Sequence, residues 1–333
     1  MSMSEKTNTL NQETQPNVEQ RLTPEAMARQ ELESFVNNPG LAEMARLFGA
    51  EELPEDPTEK LLALQILAAE HWDFRKGAER QAVDWNDELL DQEGSEQWNI
   101  IFEAADKLGL VKDTDPTNKH PNSLVILGGA NRAPLDRLRY GIEHVEDFDQ
   151  VVYLGSTRPV TDVERKKATD YAPDAQTEFD LGCGAFETLL GAKKVDEIIE
   201  HRNGDIWGMQ LYEFERDGET KHGFVLSTPY EIGQGKRRAT TYDNYRFFAD
   251  RAELAKDPDH SVVAVTTGFY SAGQHMPGVQ ELTLKYGTKV ETIGHSAEYS
   301  GVKRKPSQLL QETKSGIDAA VRLEQTLETA KEV

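Results

Sequence analysis

Several short segments carry residue types that could bind or transform a ligand. The first reads Leu127-Gly128-Gly129-Ala130-Asn131-Arg132-Ala133-Pro134. Paired glycines after an apolar run let a ligand approach the main chain closely. A helix starting at Pro134 would offer free N–H groups to an anion. Arg132 has the fork geometry that suits a phosphate or carboxylate, and Asn131 adds a side-chain amide. The spacing matches neither G-x-G-x-x-G nor the G-K-[ST] of a P-loop, so no standard dinucleotide or nucleoside-triphosphate motif is present. The plainer alternative is a tight turn with an exposed arginine.

Basic residues cluster twice, as Lys236-Arg237-Arg238 and Lys303-Arg304-Lys305. Both runs fall in expected loops, where local positive charge would attract an anion. Thr240-Thr241-Tyr242-Asp243-Asn244 opens an expected helix, where Thr241 and Asn244 can hydrogen-bond a ligand or only cap the helix. Thr266-Thr267-Gly268-Phe269-Tyr270-Ser271 ends the most strand-like run in the chain. The eight histidines show no metal-ligand spacing, and no metal is expected. His275 and His295 read as loop histidines. G-x-S-x-G is missing, so the sequence offers no case for a serine nucleophile.

Asp180-Leu181-Gly182-Cys183-Gly184-Ala185-Phe186 resembles the glycine-rich first motif of S-adenosylmethionine-dependent methyltransferases. Phe186 stands where a third glycine is usual, and the preceding residues 174–179 are too polar for a core strand. A methyltransferase needs a buried strand leading into Asp180. The alternative is a helix with small residues on its packing face, which makes Cys183 a small buried side chain.

The chain of 333 residues has 59 acidic and 37 basic side chains, a formal charge of −22. That balance disfavours general nucleic-acid binding and adsorption to anionic membranes. No apolar run is long enough to span a bilayer, and residues 1–20 have no apolar signal core, so a cytoplasmic location is expected. One cysteine excludes an intrachain disulfide and a multi-cysteine zinc site. The charge is uneven: residues 1–120 carry −14 and residues 121–333 carry −8. Five glycines precede position 121 and twenty follow it, which separates a helix-rich part from a strand-and-turn part.

Residues 1–20 read as a disordered tail, and 21–110 as a helical module whose helices start at Thr23-Pro24 and Asp56-Pro57. The second of these is expected to reach about Leu90. Residues 111–122 read as a polar linker, and 123–330 as an α/β domain. Strands are expected at 123–127, 150–154, 261–267 and 289–293, with helices at 134–143, 177–190, 240–252, 277–286 and 307–330. Residues 195–201 also read as helix. Asp217-Gly218 marks a β-hairpin insertion near 205–227. Alternating strands and helices imply a Rossmann-like three-layer sandwich with a mostly parallel sheet, whose ligand lies at the carboxyl ends of the strands.

The motifs of residues 123–323, in order, resemble the YdcF/SanA/ElyC-like family. Its first motif is an apolar strand ending in Leu-Gly-Gly before an arginine-bearing helix, similar to Leu124–Leu138. Its Glu-bearing helix is similar to Glu178 at the head of 177–190. A helix start in Ala239–Asn244 and a Val-Thr-Ser strand end at Val265-Thr266-Thr267 complete the likeness. Tyr270 and Gly273 stand where the family has a histidine and an arginine. The resemblance implies a Rossmann-like domain and names S-adenosylmethionine as one candidate ligand. The expected site comprises Gly128, Gly129, Asn131, Arg132, Glu178, Lys236, Arg237, Thr241, Asn244, Thr266 and Thr267. Its ligand is a nucleotide-like or phosphorylated small anion, and any reaction is group transfer or hydrolysis. An acidic helical module that binds a basic protein partner, without catalysis, is the other class of function the sequence admits.

Overall fold

The computed structural model describes residues 22–76, 90, 92–202, 205–228, 239–257 and 259–331. The expected N-terminal tail lies outside the described residues. Among the described residues four helices come first: α1 (Pro24–Val36), α2 (Pro39–Leu47), α3 (Pro57–His71) and α4 (Glu96–Lys107). Thr23, Asn38, Asp56 and Ser95 cap them through side-chain oxygens that accept from first-turn amides. Proline opens the first three, where its missing N–H costs nothing and its fixed φ is already helical. Helix α3 ends at His71, short of the expected Leu90; residues 77–89 lie outside the described residues.

The α/β part follows. Its strands are β1 (Ser123–Leu127), β2 (Gln150–Ser156), β3 (Lys193–Arg202), β4 (Asp205–Arg216), β5 (Glu219–Thr228), β6 (Ser261–Thr267) and β7 (Lys289–His295). Its helices are α5 (Ala133–His144), α6 (Asp162–Lys167), α7 (Glu178–Leu190), α8 (Thr241–Arg251), α9 (Ser271–Gly278), α10 (Leu284–Tyr286) and α11 (Pro306–Lys331). The seven strands form one sheet in the order β3-β4-β5-β2-β1-β6-β7. Strands β5, β2, β1, β6 and β7 are mutually parallel, and β4 runs antiparallel to both β3 and β5. One face packs Val151, Tyr153 and Val225 against Leu135 and Leu138 of α5 and Leu181, Ala185 and Phe186 of α7. The other packs Val152, Leu154 and Leu226 against Tyr245 and Phe248 of α8. No described helix is long and apolar enough to cross a membrane.

Two expected elements differ. Residues 195–201 lie in strand β3, although Val195, Ile198 and Ile199 have helical spacing. Pairing along β4 overrides that local pattern. The chain after β6 becomes helical before the expected start at Pro277. It turns at once into a 3-10 turn (Gly268–Tyr270) and α9, which runs through Pro277 into a π-helical segment (Val279–Thr283). Proline removes one backbone donor, and a wider turn absorbs the disruption.

The N-terminal helices share a core with the far end of the chain. Ala28, Leu32 and Val36 of α1 and Leu61, Leu64 and Ala68 of α3 belong to one apolar cluster with Met276 of α9 and Leu310, Ile317, Leu323 and Leu327 of α11. Arg29 ion-pairs with Glu324 at 3.3 Å, and Thr58 donates to the same carboxylate at 2.8 Å. The polar stretch 111–122 lies along β7. Gly294 donates to Thr114 Oγ1 at 2.8 Å, and the Glu291 carboxylate accepts from the amides of Thr117 at 2.7 Å and Asn118 at 3.0 Å.

Candidate functional site at the carboxyl ends of the strands

The loop after β1 is shaped by its own neighbours. A Cβ on Gly128 would lie 2.5 Å from the Leu154 carbonyl oxygen, and one on Gly129 would lie 2.9 Å from Ala133 Cβ. Both glycines are therefore required by packing. Asn131 adopts the left-handed region at φ +57°, and its carbonyl accepts from the Tyr171 hydroxyl. Arg132 donates from Nη1 to Asp170, and its Nε lies 3.9 Å from Asp136, so its charge is engaged within the chain.

The guanidinium at the strand ends belongs to Arg137 instead, one turn further along α5. It is 2% exposed. It donates to the Leu127 carbonyl at 2.7 Å, to the Gly128 carbonyl, and to Thr267 Oγ1 at 3.4 Å. This clasp joins the ends of β1 and β6. His295 reaches the same hydroxyl from the end of β7, with Nε2 at 3.3 Å. Burial pushes the His295 imidazole pKa down to about 4. Thr266 turns the other way and donates to Gln274.

A second cluster lies at the ends of β2 and β5. Ser156 and Thr228 are register partners, so their side chains share a sheet face. Ser156 donates to Glu178 Oε2 at 2.6 Å. Arg158 lies 3.2 Å from Glu164 and 3.9 Å from Glu178, and burial pushes the Glu178 carboxyl pKa up. Helix α8 packs over β2 and β5. Its N-terminus is closed by a box in which Thr240 and Asp243 cap each other, while Thr241 is its first residue. Ser227 Oγ, Thr228 Oγ1 and Asn244 Oδ1 are buried and have no hydrogen-bond partner among the described residues.

The expected residues thus divide. Glu178 meets Ser156 at the end of β2, while Thr241 and Asn244 lie in the first turn of α8, the helix that packs over β2 and β5. Thr267 faces the Arg137 clasp, whereas Thr266 and Arg132 are held by other side chains. Lys236 and Arg237, with Arg238, lie outside the described residues. Arg304 of the second basic run stacks over the Phe269 ring, 4.3 Å from its centroid. Sequence reasoning missed Arg137, Ser156 and Thr228. Ser156 and Thr228 each end a strand, a position that marks them once the strands are drawn one residue or two longer. Arg137 looks in sequence like any surface arginine of an amphipathic helix.

The methyltransferase arrangement does not form. Residues 178–190 are helix α7, and no strand leads into Asp180. Gly182 faces the Tyr153 ring and Gly184 faces the Tyr171 carbonyl, so both allow close packing of α7. Gly182→Val is therefore expected to lower stability by about 1–3 kcal/mol through overpacking, read as an earlier urea midpoint at unchanged slope. Unchanged stability would refute this account of Gly182.

Two polar constellations lie away from the strand carboxyl ends. A cleft of about 940 Å³ runs between α1, α9 and β7. In it His275, which sits on α9 and not in a loop, lies between Glu31 at 3.3 Å and Thr292 Oγ1 at 3.0 Å. At the amino ends of the strands, His260 bridges Ser123 Oγ at 2.9 Å and Asp257 at 3.0 Å. That order matches a nucleophile, base and acid, but Ser123 is fully enclosed and also accepts from Gln150. It ties the starts of β1, β2 and β6 together.

Among known families, a model described as the Rv3785 N-terminal domain matches residues 19–109. No curated protein and no solved structure matches the chain. The family match lies in the helical region and corrects the resemblance to the YdcF/SanA/ElyC-like family. The motifs behind that resemblance have local causes: Gly128 and Gly129 are imposed by Leu154 and Ala133, and threonines at a strand end suit any parallel sheet.

Proposed function

We propose that the carboxyl ends of β1, β2, β5 and β6 bind a small phosphorylated or nucleotide-like molecule on a Rossmann-like sheet. Counted over the parallel strands alone, the order is 3-2-1-4-5, with its reversal between β1 and β6. Open α/β sheets place ligands at such a reversal.

Three buried polar atoms carry this reading: Ser227 Oγ, Thr228 Oγ1 and Asn244 Oδ1, without partners among the described residues. Leaving such a group unsatisfied costs about 1–3 kcal/mol. Ligand hydroxyl, amino or phosphate groups would satisfy them. Glu178, held by Ser156, adds an acceptor for a ligand hydroxyl. The reaction class that fits best is transfer or hydrolysis of the anionic group, since no dinucleotide fingerprint is present. S-adenosylmethionine drew its support from the corrected resemblance and is kept only as an arm of the test.

Thermal shift against nucleotides, sugar phosphates and S-adenosylmethionine tests the proposal. A ligand at 100 times its Kd adds about 2.7 kcal/mol of stability. Asn244→Ala and Thr228→Val are each expected to weaken binding about tenfold, near 1.4 kcal/mol. Arg132→Ala is expected to leave affinity unchanged, because Asp170 already holds that side chain. A panel without a shift, or a ligand indifferent to both Asn244 and Thr228, would sink the proposal.

A further inference from the structure

The cleft of about 940 Å³ between α1, α9 and β7 holds a chain of three polar side chains. His275 Nε2 lies 3.3 Å from Glu31 Oε2, and its Nδ1 lies 3.0 Å from Thr292 Oγ1. A carboxylate can only accept, so in the neutral imidazole Nε2 carries the proton and Nδ1 is the bare nitrogen. Thr292 then donates its hydroxyl proton to Nδ1. Hydroxyl, imidazole and carboxylate stand in the order of a nucleophile, its base and the group that orients the base. Unlike the enclosed Ser123, these side chains are within reach of a ligand. All three line the cleft, Thr292 is half-buried, and the His275 side chain is 20% exposed.

Strand β7 ends the sheet on this side. Its main chain points alternately toward β6 and away from it. Lys289 donates to the carbonyl of His260, the residue before β6, whereas Gly294 exchanges hydrogen bonds with Thr114 on the opposite side. Thr292 is in phase with Gly294, so its N–H also turns away from β6. An N–H on the nucleophile's own residue is a donor that acyl-transfer sites use for the developing oxyanion. Among the described residues, three carboxylates line the cleft, those of Glu31, Asp259 and Glu291, against one lysine, Lys289. That balance suits an uncharged or cationic acyl group and disfavours an anionic one.

We propose that this cleft hydrolyses small carboxylic esters, with Thr292 as nucleophile, His275 as general base and Glu31 as the residue that positions His275. Thr292 Oγ1 bonds to the ester carbonyl carbon as its proton passes to His275 Nδ1. The bond to the leaving oxygen breaks, and that oxygen takes the proton and departs as the alcohol. Water then attacks the acyl-threonine and gives a proton to His275, which returns it to Thr292 Oγ1 as the acid is released. This inference does not depend on the ligand reading at the strand carboxyl ends.

The probe is p-nitrophenyl acetate with the full chain. Hydrolysis should saturate, and peptide mapping of acid-quenched wild-type protein should place an acetyl group on Thr292. The anionic mono-p-nitrophenyl succinate should react at least about tenfold more slowly. Thr292→Val keeps the shape and the strand propensity and should lose both the adduct and the saturable hydrolysis, while Thr292→Ser should keep them. His275→Gln should lower kcat by about a hundredfold. Glu31→Gln should lower kcat by about tenfold at unchanged KM, because it disturbs the base and not the binding of the ester. Near-UV circular dichroism of each variant reports its fold, and the wild-type adduct needs no variant. A wild-type chain that takes no acetyl group on Thr292, saturable hydrolysis that survives Thr292→Val, or a Glu31→Gln variant with kcat unchanged would overturn the proposal.

Discussion

Arg137→Met should lower stability by about 3 kcal/mol or more. The side chain is almost wholly enclosed and bridges three acceptors on two strands: the carbonyls of Leu127 and Gly128 at the end of β1 and the Thr267 hydroxyl at the end of β6. Methionine fills a similar volume but donates nothing. Both carbonyls then lose this donor, and each forfeits a charge-assisted bond worth about 1.5–3 kcal/mol. Arg137→Lys should fall between the two, because one ammonium cannot span all three acceptors with a planar fork. Urea denaturation of wild type and both variants checks this, as a midpoint that moves without a change in slope. If Arg137→Met loses less than the lysine variant, the clasp is not what holds the β1 and β6 ends. Because Gly129 abuts the guanidinium, the same variant should also loosen the loop after β1.

The contrast between Arg132 and Arg137 shows what was legible in the sequence. The strand β1, the glycine turn and the helix α5 follow from local rules: a five-residue apolar run, paired glycines, then proline at a helix start. Which arginine faces the strand ends depends on the rotation of α5 about its axis. That rotation is set by Leu135 and Leu138 packing under the sheet and by Asp170, which comes from a distant turn. No local pattern contains it. The same division applies to Asp180–Phe186. Its glycines were visible, but their reason, the Tyr153 ring and the Tyr171 carbonyl, lies across the fold.

Strand β3 shows the opposite failure, a local pattern that was present and misleading. Val195, Ile198 and Ile199 fit one helical face, yet all three are exposed on an edge strand. The apolar spacing that suggests a buried helix stripe has no core to meet there. What decides the conformation is the Asp217-Gly218 turn and the long β4–β5 hairpin it nucleates. Strand β4 then offers a ready edge to the preceding residues. The N-terminal helices were also legible through their caps, but their sharing of a core with α9 and α11 was not. Amphipathic spacing shows that a face is buried and does not say against what.

His295→Gln should flatten the acid side of the stability profile between about pH 4 and pH 6.5. In the folded chain burial holds the imidazole neutral, with its pKa lowered from 6.5 to about 4, and Arg137 and Arg304 oppose its protonation further. The unfolded chain binds the proton with an ordinary pKa, so between these values it carries more protons than the folded one. Stability must then rise with pH across this window. Going down in pH, the loss begins near 6.5, accumulates to about 4 and then levels. A separation of that size corresponds to about 3 kcal/mol at most. Glu178 and Asp136 work against it, because burial raises their carboxyl pKa values and favours the protonated folded form. The wild-type profile is therefore a sum, and only its difference from the glutamine variant isolates the histidine. Glutamine keeps a polar group near Thr267 Oγ1 but cannot titrate. Urea midpoints measured at intervals from pH 4 to pH 8 supply both curves. If they stay parallel across the window, His295 is not the buried neutral base that its contacts with Tyr140, Tyr299 and Thr267 describe. A difference that grows toward low pH and saturates near pH 4 places an uncharged imidazole beside the Arg137 clasp. The proposed ligand site then meets one fixed cation there, and a second appears only in acid.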